Sequence, residues 1–93
     1  MIYTVVWKQS AEDRLAEIWT EAPDRQAVAD AADQIDRLLR LDPQQHGNAF
    51  PGGRCSLIVL PLGVVFEIND MDRRVRVLVV WYIPRHLTNG AVS

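Results

Sequence analysis

The chain has 93 residues, a formal net charge of −2 at pH 7 and a mean hydropathy near zero, which indicates one globular domain over residues 1–93 and excludes a disordered chain. No apolar run is long enough to span a bilayer, and the first residues lack the basic flank of a secretory signal, so we expect no membrane partner. Because the single cysteine, Cys55, cannot form an internal disulfide, a reducing cytoplasmic location is expected.

The first half of the chain predicts one strand followed by two helices. Residues 2–8 are rich in β-branched and aromatic side chains and predict a strand. Ser10 is the predicted N-cap of a first amphipathic helix, which Pro23 ends. Asp24 is suited to cap a second helix, whose apolar residues recur at three- and four-residue spacing as far as Leu41. Together these two segments predict a helical hairpin with one apolar stripe.

The second half predicts a meander of three strands over residues 54–86. Runs rich in Val, Ile and Leu are separated by turn residues at positions 61–63 and 69–72. Residues 44–53 contain Gly and Pro without periodicity and predict a surface loop, and we expect the polar tail at 87–93 to fray. The order β-α-α-β-β-β predicts an α+β fold, with the helical hairpin packed on one face of a mainly antiparallel four-stranded sheet.

Charge is distributed unevenly between the two halves. Residues 1–42 carry five basic and nine acidic groups, whereas residues 43–93 carry five arginines and three acids. Arginine binds phosphate through a planar, bidentate fork, so the positive half is a candidate anion-binding region. The alternative is that these arginines only solvate the strand ends.

Strict alternation along the last predicted strand assigns its side chains to two faces. One face would carry Val75, Val77, Val79, Trp81 and Ile83, and the other Arg76, Leu78, Val80 and Tyr82. The second face is too apolar to be left in water, so Leu78 and Val80 are predicted to bind a partner. Arg76 and Tyr82 are the candidate substrate-binding residues there, with Tyr82 able either to stack on a base or only to stabilise the sheet.

The element order and several segments resemble the RelE/ParE superfamily, the toxin halves of bacterial type II toxin–antitoxin pairs. The resemblance covers about residues 2–86. It rests on Val6 and Trp7 in the first strand, on Ala11, Leu15, Ile18 and Trp19 in the first helix, and on the run from Arg54 through Pro61, Leu62, Gly63, Val64, Val65, Phe66 and Glu67 to Arg74, Val75, Arg76 and Val77. It implies a cognate antitoxin that covers the sheet.

In the RelE branch, the resemblance implies a ribosome-dependent mRNA endonuclease that uses neither metal nor cofactor. The ribose 2′-hydroxyl attacks the adjacent phosphate in line. Arg54 occupies a place where RelE-like toxins have a phosphate-binding cation, and Arg85 matches their C-terminal arginine. Gly63 and Ser56 depart from the pattern, because many active members have arginine and lysine there. The set of family catalytic residues is therefore incomplete, and whether the chain is an enzyme stays open.

Cleavage of RNA without metal requires a base, an acid and cations that stabilise the developing phosphorane charge. Arginine stays protonated, which suits Arg54 and Arg85 to the electrostatic role. His86 titrates near neutral pH and is the candidate acid or base, with His46 a weaker one, although a histidine near a chain end is more often simply solvated. The sequence contains neither a Walker-type loop nor Cys/His metal-ligand spacing.

Two other functions are compatible with the same scaffold. A ParE-like toxin would inhibit DNA gyrase without catalysis, and the missing cations favour this alternative. A catalytically inactive module would keep only its affinity for the antitoxin. The positions of Arg54 and Arg85 favour the RelE-like function, and fold alone does not decide among the three.

Overall fold

The computed structural model describes residues 2–84, within which there are three helices and five strands. In chain order they are β1 (Thr4–Trp7), α1 (Gln9–Glu21), α2 (Arg25–Leu41), α3 (Pro43–His46), β2 (Asn48–Phe50), β3 (Arg54–Val59), β4 (Leu62–Asn69) and β5 (Arg74–Tyr82). The strands form one sheet in the order β1-β5-β4-β3-β2, in which only the β1–β5 pair is parallel. The predicted α+β fold is confirmed, with five strands instead of four.

The additional strand comes from the segment that was predicted to be a loop. Residues 44–53 include the end of α3 and the whole of β2. Gly52 and Gly53 adopt φ values of 82° and 74°, a left-handed conformation that glycine tolerates best. They turn the chain tightly enough for Phe50 to pair directly with Arg54, which places these two side chains on the same face of the sheet.

The two long helices begin in different ways. Helix α1 starts at Gln9 after Lys8, which provides no side-chain cap, so the predicted N-cap at Ser10 is wrong: Ser10 already lies inside the helix. Helix α2 is capped as predicted, because the Asp24 carboxylate accepts a hydrogen bond of 3.0 Å from the backbone N–H of Ala27. A cap of this kind contributes about 1 kcal/mol to helix stability.

The hydrophobic core lies between the helical hairpin and one face of the sheet. Helix α1 packs against β5, and the apolar stripe of α2 packs against β1, β3 and β4. The core residues that are fully or almost fully buried include Val28, Ala31, Ile35, Leu39, Leu62, Val64, Phe66, Val75 and Val77. Burying one large apolar side chain contributes roughly 1.5–3 kcal/mol, so this face cannot be exposed without unfolding the domain. The opposite face of the sheet remains open.

A β-bulge interrupts the pairing of the two central strands. Phe66 pairs with Val77, whereas the preceding residue, Val65, pairs with Val79. Leu78 is therefore an extra residue in β5, opposite the step between two residues of β4. A bulge of this kind leaves one residue outside the regular ladder and shifts the alternation of side chains beyond it.

The bulge reverses the faces that strict alternation predicted for the end of β5. Val80 is only 3% exposed and belongs to the core, and Tyr82 pairs with buried Leu62 and packs against the same core. Val79 and Trp81 instead lie on the open face. The predicted placement of Val80 and Tyr82 on the open face is therefore wrong.

A hydrogen-bonded cluster attaches Tyr3, just before β1, to the turn between β4 and β5. The Tyr3 hydroxyl donates to Asp70 Oδ1 at 2.8 Å, and the Gln44 amide donates to both Asp70 oxygens at 2.8 and 3.1 Å. The hydrogen bond to the Asp70 carboxylate raises the pKa of Tyr3 above its usual value, since the neutral hydroxyl is the donating form. The cluster thus joins β1, α3 and the β4–β5 turn.

This contact predicts a specific alkaline destabilisation. The pKa of Tyr3 is higher in the folded than in the unfolded state, so its contribution to stability is present below about pH 10 and is lost as pH rises through the raised pKa. In urea denaturation at a series of alkaline pH values, the free energy of unfolding should fall more steeply for the wild type than for Tyr3→Phe. Asp70→Asn, which removes the acceptor charge, should also flatten the profile. Parallel profiles for all three proteins would contradict the assignment.

Candidate functional site

The open face of the sheet contains a shallow trench of about 520 Å³. It is lined by side chains from all of the strands except β1, and by Lys8 just beyond β1: Lys8, Phe50, Arg54, Val65, Glu67, Arg76, Leu78, Val79 and Trp81. Residues far apart in the sequence meet here because each strand presents alternate side chains to this face. One part of the trench is charged and the other is apolar.

The charged part contains three cations and one carboxylate. Glu67 and Arg76 are cross-strand partners, with 3.9 Å between the nearest carboxylate and guanidinium atoms and both side chains about half exposed. An exposed pair of this kind contributes at most about 1 kcal/mol, so Arg76 can exchange this partner for a ligand at little cost. Arg54 forms no ion pair with any other residue of the region 2–84. With Lys8, the trench carries a formal charge of +2 and attracts anions.

The apolar part is built around the contact of Trp81 with Gly63. These residues are cross-strand partners, and a Cβ atom added to Gly63 would lie closer than 3.0 Å to three atoms of the Trp81 indole. The indole therefore occupies the space above Gly63. Val79 and Phe50, which are 50% and 42% exposed, extend the same apolar surface.

The structure brings together three of the residues that the sequence singled out. Arg54, Arg76 and Leu78 all line the trench. Val80 and Tyr82 are on the helix-facing side, where Tyr82 lines a separate hollow with residues from the end of α1. Their predicted placement in the trench is corrected accordingly.

The other candidate catalytic residues lie either outside the described residues or away from the trench lining. Arg85 and His86 lie outside the described residues, so their roles stay predictions. His46, at the end of α3, is exposed and does not line the trench. Ser56 lies on the open face opposite Val65.

Sequence reasoning missed six trench residues: Lys8, Phe50, Val65, Glu67, Val79 and Trp81. Phe50 had a usable signal, because it precedes a Pro-Gly-Gly turn that could have predicted a hairpin and its pairing with Arg54. No sequence signal indicated that Val79 and Trp81 lie on the open face, since nothing in the valine-rich run predicts where the bulge occurs.

A second apolar hollow, of about 510 Å³, lies on the outer side of the helical hairpin. It is lined mainly by apolar residues of both long helices: Leu15, Ala16, Trp19, Val28, Ala29 and Ala32. Trp19 is 44% exposed, and the guanidinium of Arg25 lies 4.9 Å from its ring centroid, a cation–π distance. The hairpin therefore carries an apolar groove as well as the acidic surface that its sequence shows.

Across residues 2–84, no three His, Cys, Asp or Glu side chains are grouped so that they could hold a metal ion. No helix in that part of the chain combines the length and the apolar character needed to cross a membrane. Cys55 is half-buried and packs against the core.

Comparison with solved structures shows the same fold in several toxin–antitoxin proteins. A chain of the toxin–antitoxin complex RelBE2 from Mycobacterium tuberculosis superposes with a TM-score of 0.74 at 19% identity, covering 88% of this chain and 92% of that one. For the chromosomal ParDE system of P. aeruginosa the TM-score is 0.71 at 17% identity, covering 89% and 98%. For the isolated E. coli RelE toxin it is 0.64 at 13% identity, covering 97% and 95%.

The sequence itself matches no protein-family model, and no curated protein matches it. The structural similarity therefore shows that the chain has the RelE/ParE fold, as the sequence predicted.

Proposed function

We propose that this protein is the toxin of a type II toxin–antitoxin system, located in the cytoplasm, and that it cleaves mRNA on the ribosome in the manner of RelE. The observation that carries this proposal is the trench, in which Arg54 and Arg76 lie on one open sheet face with Lys8 and an apolar aromatic surface. Cations beside exposed aromatic groups are typical of surfaces that bind single-stranded nucleic acid.

The chemistry that suits this surface is stabilisation of charge on phosphate. As the 2′-oxygen bonds to phosphorus and the bond to the 5′-oxygen breaks, negative charge develops on the phosphoryl oxygens. Arg54 and Arg76 can each donate two N–H groups to those oxygens. Neither can act as the base, because arginine stays protonated. Proton transfer is assigned to His86 because histidine can act as acid or base, and Arg85 is added as a further cation on the resemblance.

An antitoxin is the second partner in this proposal. Two of the similar structures are toxin–antitoxin systems, and this chain offers two exposed apolar surfaces of the kind that such a partner could cover. One is the trench, where Leu78 and Val79 take the place of the originally predicted pair Leu78 and Val80. A segment laid across it would occlude Arg54 and Arg76. The other is the groove on the helical hairpin.

One observation favours a ParE-like inhibitor of DNA gyrase as the alternative. The indole of Trp81 covers Gly63, the position where the resemblance expects an arginine in many active members. The trench therefore lacks one cation that cleavage would use. A non-catalytic toxin would not need it.

Assays of mRNA cleavage and of gyrase inhibition on the same protein preparation distinguish the RelE-like from the ParE-like function. We expect the purified chain to cleave mRNA in a reconstituted translation reaction only when ribosomes are present, with no effect on DNA supercoiling by gyrase. The Arg54→Ala/Arg76→Ala double variant is the matched control and should be inactive. Inhibition of gyrase without cleavage would establish the alternative, and neither activity would indicate an inactive antitoxin-binding module.

A further inference from the structure

We propose that the apolar part of the trench is a nucleobase site, in which one unpaired base of single-stranded RNA stacks on Trp81 and is flanked by Phe50. This inference rests on the proposed function, since it places the phosphates of the same strand on Arg54 and Arg76. It adds a specific recognition element contributed by residues that the resemblance does not include.

The first support is that Trp81 is held in place before any ligand binds. It pairs with Gly63 across the β4–β5 ladder, and the absence of a side chain at Gly63 leaves room for the indole to lie against the backbone. Trp81 nevertheless stays partly exposed and lines the trench. A ring fixed by folding loses little conformational entropy when a ligand stacks on it.

The second support is the bulge at Leu78. It brings Val79 and Trp81 to the open face, where strict alternation would have buried them and exposed Val80 and Tyr82. Native proteins use bulges to redirect side chains next to functional sites. Here the redirected side chain is the one aromatic residue of β5 that faces the cations.

The third support is the positive charge of the trench, which favours a nucleobase over an apolar peptide as the ligand. The same trench contains Lys8, Arg54 and Arg76 with only Glu67 opposing them. A purely apolar peptide would desolvate these cations without compensation, whereas a polynucleotide supplies phosphates beside its bases. Arg76 and Trp81 are five residues apart along one strand, or roughly 15 Å, a span that a short single-stranded segment can bridge.

The test uses tryptophan fluorescence in the full chain. The chain has three tryptophans, so Trp7→Phe/Trp19→Phe leaves Trp81 as the only indole, and Trp7→Phe/Trp81→Phe leaves Trp19 as the matched control on the helical hairpin. Circular dichroism verifies that both variants are folded. The probe is a short 2′-O-methyl oligoribonucleotide, which cannot be cleaved at its ribose, and a fluorescein-labelled copy reports total binding by anisotropy.

We expect saturable quenching of Trp81 at the oligonucleotide concentrations that raise the anisotropy, and no quenching of Trp19. Trp81→Leu should weaken RNA binding about 5- to 150-fold, the range for loss of one stacked base, whereas Trp81→Phe should retain most of it. An adenine-rich oligonucleotide should bind more tightly than a uracil-rich one, because purines stack over a larger area.

The outcomes separate this inference from the proposed function. RNA that binds without quenching Trp81, or that binds Trp81→Leu as tightly as the wild type, overturns the base site and leaves the RNA-directed function standing. If RNA does not bind the wild type at low salt, the base site is overturned, while the ribosome-dependent cleavage assay separately decides the proposed function. Quenching confined to Trp81 supports both.

Discussion

Arg54→Ala should reduce ribosome-dependent mRNA cleavage about 10²- to 10³-fold, the usual effect of removing one group that stabilises developing charge. Arg54 lies at the start of β3 on the open face and has no ion-pair partner within residues 2–84, so its charge is available to a phosphate. The loss should appear in the rate of cleavage at saturating ribosomes. The measurement is the rate of appearance of new mRNA 5′ ends in a reconstituted translation reaction.

Two further variants identify the cause of that loss. Arg54→Lys keeps the positive charge without the bidentate fork, so it should recover only part of the activity. Arg14→Ala removes an exposed arginine of the helical hairpin that does not line the trench, and should cleave at the wild-type rate. Arg54 would have no role in catalysis if Arg54→Ala cleaved as fast as Arg14→Ala.

Gly63→Ala is expected to destabilise the fold by about 1–3 kcal/mol, the usual cost of inserting a group into a fully packed position. The added Cβ would overlap the Trp81 indole, which lies directly above Gly63. Elsewhere in a strand, alanine is generally better than glycine by roughly 0.5–1 kcal/mol, so the sign of the effect is diagnostic. The free energy of unfolding from urea denaturation measures it.

A double-mutant cycle attributes this cost to the indole. Combined with Trp81→Ala, the Gly63→Ala change should become neutral or stabilising, because the space above residue 63 is then empty. The coupling energy between the two sites should therefore reach about 1 kcal/mol or more. Additive effects of the two substitutions would mean that Trp81 does not occupy this position in solution.

The helical half of the fold follows closely from the sequence. The stripe of α2 and the cap at Asp24 are local signals, and the structure confirms both. The start of α1 was shifted because Ser10 has the right chemistry for a cap but the backbone becomes helical at Gln9, after Lys8. The strand β2 was missed because it is only three residues long and owes its existence to pairing with β3.

The site was less predictable, because it depends on which face each strand residue occupies. Up to Val77, alternation placed every side chain of β5 correctly, and Arg76 lies where it was expected. One unpaired residue, Leu78, then inverted the faces assigned to residues 79–82. The position of a bulge depends on how two strands pair, and the sequence of one strand, such as residues 77–80, does not indicate it.

The position of β5 in the sheet also has a consequence for biosynthesis. β5 is the last described strand to be translated, yet it lies between β1 and β4 and pairs with both. β1 therefore cannot join the rest of the sheet until β5 has left the ribosomal exit tunnel, since β5 is the strand that pairs with both β1 and β4. Arg76, Leu78 and Trp81 all belong to this strand. A nascent chain whose β5 has not yet emerged from the tunnel consequently lacks the complete trench.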